Sequence, residues 1–178
     1  MGDTLLWQVG QVPRSIRAKG FDLMQEKLFD QEQQEVTSND YYTPKWIFEA
    51  MELEFDLDVA SPAGGIPWIP AKMYYSQMWD GLSQDWVGRV WMNPPFSNPR
   101  PWVEKFKQHA NGVALLPFAK SKWMNEFWPS VDAVTLLPSS LKFHDPKGSN
   151  GSIMYLCGLF AIGQENVDAI AKIGHTLK

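Results

Sequence analysis

Asn93, Pro94, Pro95 and Phe96 form the stretch NPPF, directly after a short apolar run, Val90 to Met92, that reads as a β-strand. Two prolines fix two backbone φ angles and remove two amide donors, so the chain leaves the strand in a turn that cannot rejoin a ladder. What remains is an acceptor surface. The Asn93 side-chain oxygen and the Pro94 carbonyl can together accept both hydrogens of an exocyclic amino group, and Phe96 offers a ring to stack on the heterocycle that bears it. The arrangement suits an adenine amino group. An amino nitrogen that attacks a methyl group becomes positive, so acceptors aimed at its hydrogens stabilise the transition state and turn the lone pair toward the electrophile. No ionisable base is required. A tetrapeptide of this kind is also, on its own, an ordinary loop-starting turn.

Three acids stand where they could complete such a site. Asp56 and Asp58, in FDLDVASPAGG, lie at the end of a second strand-like run, where a carboxylate can face the cationic or hydroxyl-bearing part of a nucleotide-like cofactor. Asp80, in WDGL, lies in a short loop where it can accept from an adenine amino group. Each acid is equally at home as a turn or helix cap. SPAGG is not GxGxxG, and the chain has no P-loop.

These residues need a scaffold, and the periodicities describe one. Thr43 and Pro44 make an N-cap followed by proline at the first helical position, after which Trp46, Ile47, Ala50 and Met51 fall on one face. FDLDVA alternates apolar and acidic residues as a strand does, with a turn following in SPAGG. Further on, PRPWVEKFKQHA predicts a helix, GVALLP a strand, SKWMNEFW a helix and VDAVTLLP a strand. SLKFHD and SIMYLCGLFAI predict two more strands, and ENVDAIAKI a closing helix. Strands separated by helices imply an α/β fold: a mostly parallel central sheet with helices on both faces, and the consecutive late strands predict an antiparallel edge. In such sheets ligands bind beyond the carboxyl ends of the strands, where both DLDVAS and NPPF fall.

The 178 residues suit one domain over residues 37–178, preceded by an N-terminal helical extension and linker over residues 1–36, where Phe21, Met24 and Leu28 recur at helical spacing. A hydrophobic share of 44% and a formal charge of −4 describe a globular chain with no apolar run approaching a membrane span. The first residues lack the apolar core and cleavage site of a signal peptide, so a cytoplasmic location is expected. The single cysteine, Cys157, excludes an internal disulfide and a cysteine-based metal site, and its apolar setting predicts burial. Nine tryptophans, ten phenylalanines and five tyrosines supply the core and, in a minority, stacking surfaces.

YYTPKWIFEAM, FDLDVAS, DGLSQDWVGRVWMNPPFS, LLP, LLPSSLKF and GSIMYL occur in the order of the phage-type DNA N-6-adenine methyltransferase family, often called phage Dam, which this chain resembles from about Tyr41 to Leu159. The most specific part is DGLSQDW leading into NPPF. The resemblance implies a Rossmann-like methyltransferase fold and methyl transfer from S-adenosylmethionine to the N6 amine of adenine in DNA. It implies that Tyr42, Thr43 and Pro44 line the methionine side of the cofactor, that Asp56, Asp58 and Ala60 surround its amino acid and sugar, and that Asp80 and Leu82 hold its adenine. Asn93, Pro94, Pro95 and Phe96 would receive the target base. Cofactor elements before the catalytic one is an order similar to the gamma arrangement of amino-methyltransferases. SPAGG departs from the compact Gly-rich turn of many methyltransferases, and residues 1–36 lie outside the resemblance.

Double-stranded DNA is the partner this implies, with no membrane and no metal; the oligomeric state stays open and a monomer is compatible. A base inside a duplex must leave the stack, and Trp91, Trp102 and Trp123 are candidates, beside Phe96, for stacking against it. Arg100, Lys120 and Lys122 follow strand ends near the site, and Lys142 and Lys147 lie in KFHDPKGSNG, all placed to bind phosphate. An NPP motif followed by an aromatic also serves RNA adenine, cytosine N4 and protein glutamine as acceptors. A catalytically silent binding protein that keeps the fold is the reading from another class.

Overall fold

The computed structural model describes residues 41–144, 150–151 and 155–177, so the expected N-terminal helix and the tip of the KFHDPKGSNG loop, with Lys147, lie outside the described residues. The first helix, α1 (Lys45–Met51), buries Ile47, Phe48 and Met51 and ends at Glu52, whose left-handed φ of 50° lets its N–H reach the Phe48 carbonyl. Its start differs by one residue from the expectation. Extended Pro44 (φ −67°, ψ 146°) occupies the cap, and Thr43 is completely buried beneath it instead of capping.

Seven strands form one mixed sheet: β1 (Phe55–Ser61), β2 (Ala71–Ser76), β3 (Val90–Met92), β4 (Gly112–Pro117), β5 (Ala133–Leu136), β8 (Cys157–Ile162) and β9 (Thr176–Leu177), with β6 (Phe143–His144) and β7 (Asn150–Gly151) pairing separately. The order across the sheet is β2-β1-β3-β4-β8-β5-β9. β2, β1, β3 and β4 are mutually parallel, while β8 runs antiparallel to both β4 and β5, and β9 antiparallel to β5. An antiparallel strand does lie at the edge, but the longer one, β8, is wedged inside the sheet. Its six residues are all buried, which is why CGLFAI reads as a continuous apolar run. The Cys157 thiol that opens β8 is buried, and burial pushes its pKa up to about 12.

Helices cover both faces. On one, α1 and α4 (Gln164–Ala171) pack Ile47, Phe48, Met51, Val167 and Ile170 against Trp91, Val113, Leu115 and Leu159. On the other, α2 (Arg100–His109) and α3 (Lys122–Phe127) pack Val103, Phe106, Met124 and Phe127 against Val90, Met92, Leu116 and Phe160. β3 shows the alternation in three residues, with Val90 and Met92 on the α2 face and Trp91 between them on the α1 face.

β1 breaks that alternation. The Asp56 and Leu57 amides both point at the Arg89 carbonyl (2.8 and 3.3 Å), two residues opposite one, which is a β-bulge. Phe55 therefore packs with the α1 face while Leu57 and Val59 pack with the α2 face. Beyond the bulge Asp58 stands opposite Trp91.

Candidate active site

A cavity of about 640 Å³ opens at the carboxyl ends of β1 and β3, within the size range of small-molecule sites. β1 contributes Asp58 to Ser61, β3 and its following turn contribute Trp91, Asn93 and Pro95, and the loop after β2 contributes Gln77, Asp80 and Gly81. Tyr41, Tyr42 and Trp102 close further sides.

Asn93 is oriented by the backbone of the segment before α1. Its Nδ2 donates to the Tyr41 carbonyl at 3.1 Å. A carbonyl can only accept, so this partner requires the NH2 group of Asn93 on its side and leaves Oδ1 as the acceptor on the other. The segment carrying that carbonyl is pinned at the next two residues. Tyr42 exchanges backbone bonds with His144 (2.7 and 3.0 Å), and the Trp68 indole N–H donates to the Thr43 carbonyl at 2.8 Å while its ring lies edge-on to His144 at 5.4 Å. Pro95 lines the cavity, Pro94 is buried, and Phe96 is half-buried against the α1-side core.

The two aspartates of β1 have separate environments. Asp58 is buried, and loss of water around its carboxylate pushes the pKa up to about 7, against the pull of the Ala60 N–H at 3.2 Å and of the nearby Ser61 hydroxyl, which does not reach hydrogen-bond geometry. Asp56 is turned toward Lys72 (2.8 Å) and the Arg89 backbone N–H (2.8 Å), which hold its carboxyl below the usual range. Asp56 does not line the cavity.

Of the other residues singled out by sequence, Tyr42, Ala60 and Asp80 line the cavity, whereas Thr43 and Pro44, both buried, and half-buried Leu82, whose N–H reaches Asp80, do not. The hydroxyls of Thr43 and Ser61 and the indole nitrogen of Trp91 are buried without a partner among the described residues. Arg100, Lys120, Lys122 and Lys142 are exposed, with Lys122 within 3.5 Å of Glu126. Of the three tryptophans, Trp91 is fully buried against Phe48 and Phe55 beneath the cavity and has no exposed face to offer a base, and Trp102 lines the wall, stacked on Trp86 at 6.4 Å. Trp123 packs instead against the α2-side core.

Sequence reading missed Tyr41, Trp68 and Ser61. Ser61 follows Ala60 in β1 and was within reach of the same motif, but the Tyr41 and Trp68 contacts cross 52 and 25 residues and leave no local pattern. No group of three or more His, Cys, Asp or Glu able to hold a metal occurs among the described residues, and no helix there is long and apolar enough to cross a membrane.

A family model described as DNA N-6-adenine-methyltransferase (Dam) matches residues 31–158. The chain belongs to this family. Within it, the DNA N-6-adenine-methyltransferase of Haemophilus phage HP1 (strain HP1c1) is 38% identical over 66 residues, a stretch covering 34% of this chain and 36% of the relative. The chain thus spans about a third of that relative's length. No solved structure matches the chain.

The chemistry of the cavity fits a nucleoside that carries a cationic amino-acid arm. Asp58 and Asp80 are its two carboxylates, one buried and one exposed, and Ser61 places a hydroxyl without a partner beside Asp58. Asn93 lines the same space, with its Nδ2 taken by the Tyr41 carbonyl.

Proposed function

We propose that the protein transfers a methyl group from S-adenosylmethionine to the N6 amine of adenine in double-stranded DNA, with the target base flipped out of the duplex onto the NPPF turn. The observation that carries this reading is the Asn93 amide, held by the Tyr41 carbonyl at 3.1 Å so that its oxygen remains the acceptor beside a cavity that also contains Asp58 and Asp80. Bound in that cavity, S-adenosylmethionine supplies a methyl group on a positively charged sulfur.

The protein's own residues do the rest. Asn93 Oδ1 and the Pro94 carbonyl accept hydrogen bonds from the two N6 hydrogens, which favours the nitrogen as it turns positive and keeps it aimed along one line, and the surplus N6 proton then leaves to water. Because Asn93 is already oriented before any ligand arrives, little reorganisation accompanies the reaction. Asp58 takes the amino-acid and sugar end of the cofactor and Asp80 its adenine amine, with Tyr42, Ala60 and Leu82 alongside and Thr43 and Pro44 next to Tyr42 in the chain. Phe96 and Trp102 offer rings to the flipped base, and Arg100, Lys120, Lys122, Lys142 and Lys147 offer charge to phosphates.

The sheet supports a Rossmann-like methyltransferase fold: parallel strands bearing both halves of the site, and an antiparallel strand inserted between β4 and β5. A bacterial cytoplasm, where phage or prophage DNA is replicated, is the compartment this activity requires.

Tritium transfer from labelled S-adenosylmethionine to unmethylated duplex DNA, with nucleoside analysis, tests the reading. Label in N6-methyladenine is expected. Cofactor binding without label on DNA would move the acceptor elsewhere, and no cofactor binding would overturn the reading altogether.

A further inference from the structure

Among the residues that line the cavity, Asp80 is a non-glycine residue with a positive φ. Its φ of +48° is left-handed, a conformation that costs a non-glycine residue energy, and it lies in an exposed loop. Local bonds go some way to holding it: the Ser83 N–H donates to the Asp80 carbonyl at 2.8 Å and the Leu82 N–H to Asp80 Oδ1 at 3.3 Å. Gly81 fills a space with no room for a side chain, since a Cβ there would meet the Val59 carbonyl at 2.1 Å.

Three further carbonyls of this loop converge on one cation. Lys105, from α2, donates to the carbonyls of Gly81 (3.2 Å), Leu82 (2.8 Å) and Gln84, and stands 5.1 Å from the centre of the Trp86 ring, whose own N–H also reaches the Gly81 carbonyl at 2.8 Å. An ammonium has three N–H bonds, and here three carbonyls take them, so none is left for a phosphate or a substrate. Such a lysine is not a DNA contact. Asp80 and Asp85 are the acids that face it.

We infer that Lys105 is a positioning residue for cofactor binding: it clamps the Gly81–Gln84 backbone so that Asp80 is held in its left-handed conformation at the cavity wall, ready to take the adenine amine of S-adenosylmethionine. This rests on the cofactor assignment proposed above. It makes α2, whose first turn follows the NPPF turn, the support of the cofactor side as well.

The test compares the full chain with Lys105→Met, which keeps the stem and removes the ammonium, and with Lys105→Arg, which keeps the charge. Calorimetric Kd for S-adenosylmethionine is expected to rise about ten-fold in the Met variant, the scale of lost charge-assisted hydrogen bonds, and less in the Arg variant. At saturating cofactor, kcat should stay within about two-fold, because the acceptors at Asn93 are untouched. Amide exchange in the ligand-free Met variant should quicken over residues 80–86. The decisive comparison is the double variant Lys105→Met with Asp80→Asn. If Lys105 acts through Asp80, it binds no more weakly than Asp80→Asn alone; additive losses would overturn the inference. An unchanged Kd in Lys105→Met, with the wild type binding normally, would overturn it too. A wild-type chain that binds no S-adenosylmethionine would instead bring down the cofactor assignment.

Discussion

Asp56 and Asp58 are separated by one residue of the same strand and have opposite environments. Near the start of β1, Asp56 belongs to a network of paired polar groups: Lys72 and the Arg89 amide hold its carboxylate, the Arg89 side chain reaches Glu165 and Asn166, and Asn166 reaches Asn111. At the other end Asp58 is buried beside a cavity, with an unpartnered Ser61 hydroxyl next to it. Asp56 is held by a cation from a neighbouring strand, whereas Asp58 has no ion pair and accepts only the N–H of Ala60 among the bonds within reach. Polar groups left unsatisfied in the interior cost stability, and two of the three such atoms among the described residues, Ser61 Oγ and Trp91 Nε1, belong to residues that line this cavity.

The sharpest way to test this contrast lies on the cavity side. Asn93→Ala should lower methyl transfer by about a thousand-fold, the scale of losing an aligned acceptor of transition-state charge, while equilibrium dialysis shows S-adenosylmethionine affinity within about two-fold of wild type. Transfer at the wild-type rate would remove Asn93 from the reaction.

Asp58→Asn comes next. Cofactor Kd should rise about ten- to a hundred-fold through loss of a buried charge partner. Thermal unfolding of the ligand-free variant should shift the other way. With a folded pKa near 7 and an ordinary value of 3.8, Asp58 retains its proton in the folded state when the unfolded chain has lost it, so stability falls as pH rises between those values and stays reduced above them. Asn carries no such penalty, and at pH 8 the variant should melt higher than wild type. For the same reason wild-type affinity for a cationic cofactor should strengthen as pH rises through about 7. A pH-independent affinity would separate Asp58 from the ligand.

On the paired side, Gly88→Ala should leave kcat near wild type but destabilise the fold by about 2 kcal/mol, because Gly88 sits at φ +63° and a Cβ would lie 2.1 Å from Asp56 Oδ2. The smallest effect belongs to Asp56→Asn, a loss of a few degrees in Tm with normal transfer. Since Lys72 first and the Arg89 amide second lower the Asp56 pKa, its stabilising contribution is present above the usual carboxylate range and disappears as pH falls through the depressed value. A large loss of cofactor affinity in this variant would erase the distinction between the two ends of β1.

The sequence shows these two aspartates as an alternating pair, and that is where local reading reached its limit. NPPF at the end of β3, the helices with their apolar faces and the buried runs of β4 and β8 were all legible, because periodicity and proline chemistry act over a few residues. β2 was not, since Lys72, Met73 and Tyr74 in this edge strand are all exposed and leave no alternation to follow. The bulge was equally invisible, being decided by the Arg89 carbonyl on a neighbouring strand. The Tyr41 carbonyl that orients Asn93 and the Gly81, Leu82 and Gln84 carbonyls that take Lys105 are backbone atoms, identical in every residue, and their position is a property of the whole fold.

The buried thiol that opens β8 has a practical consequence. Cys157 is the one cysteine in the 178 residues, and with its pKa near 12 it supplies almost no thiolate at neutral pH. A cysteine introduced on the exposed loop at Ser83 would therefore be the only group in the described fold to react with a maleimide dye. The native chain is its own blank for a fluorescence reporter of motion beside Asp80, with no background mutation needed.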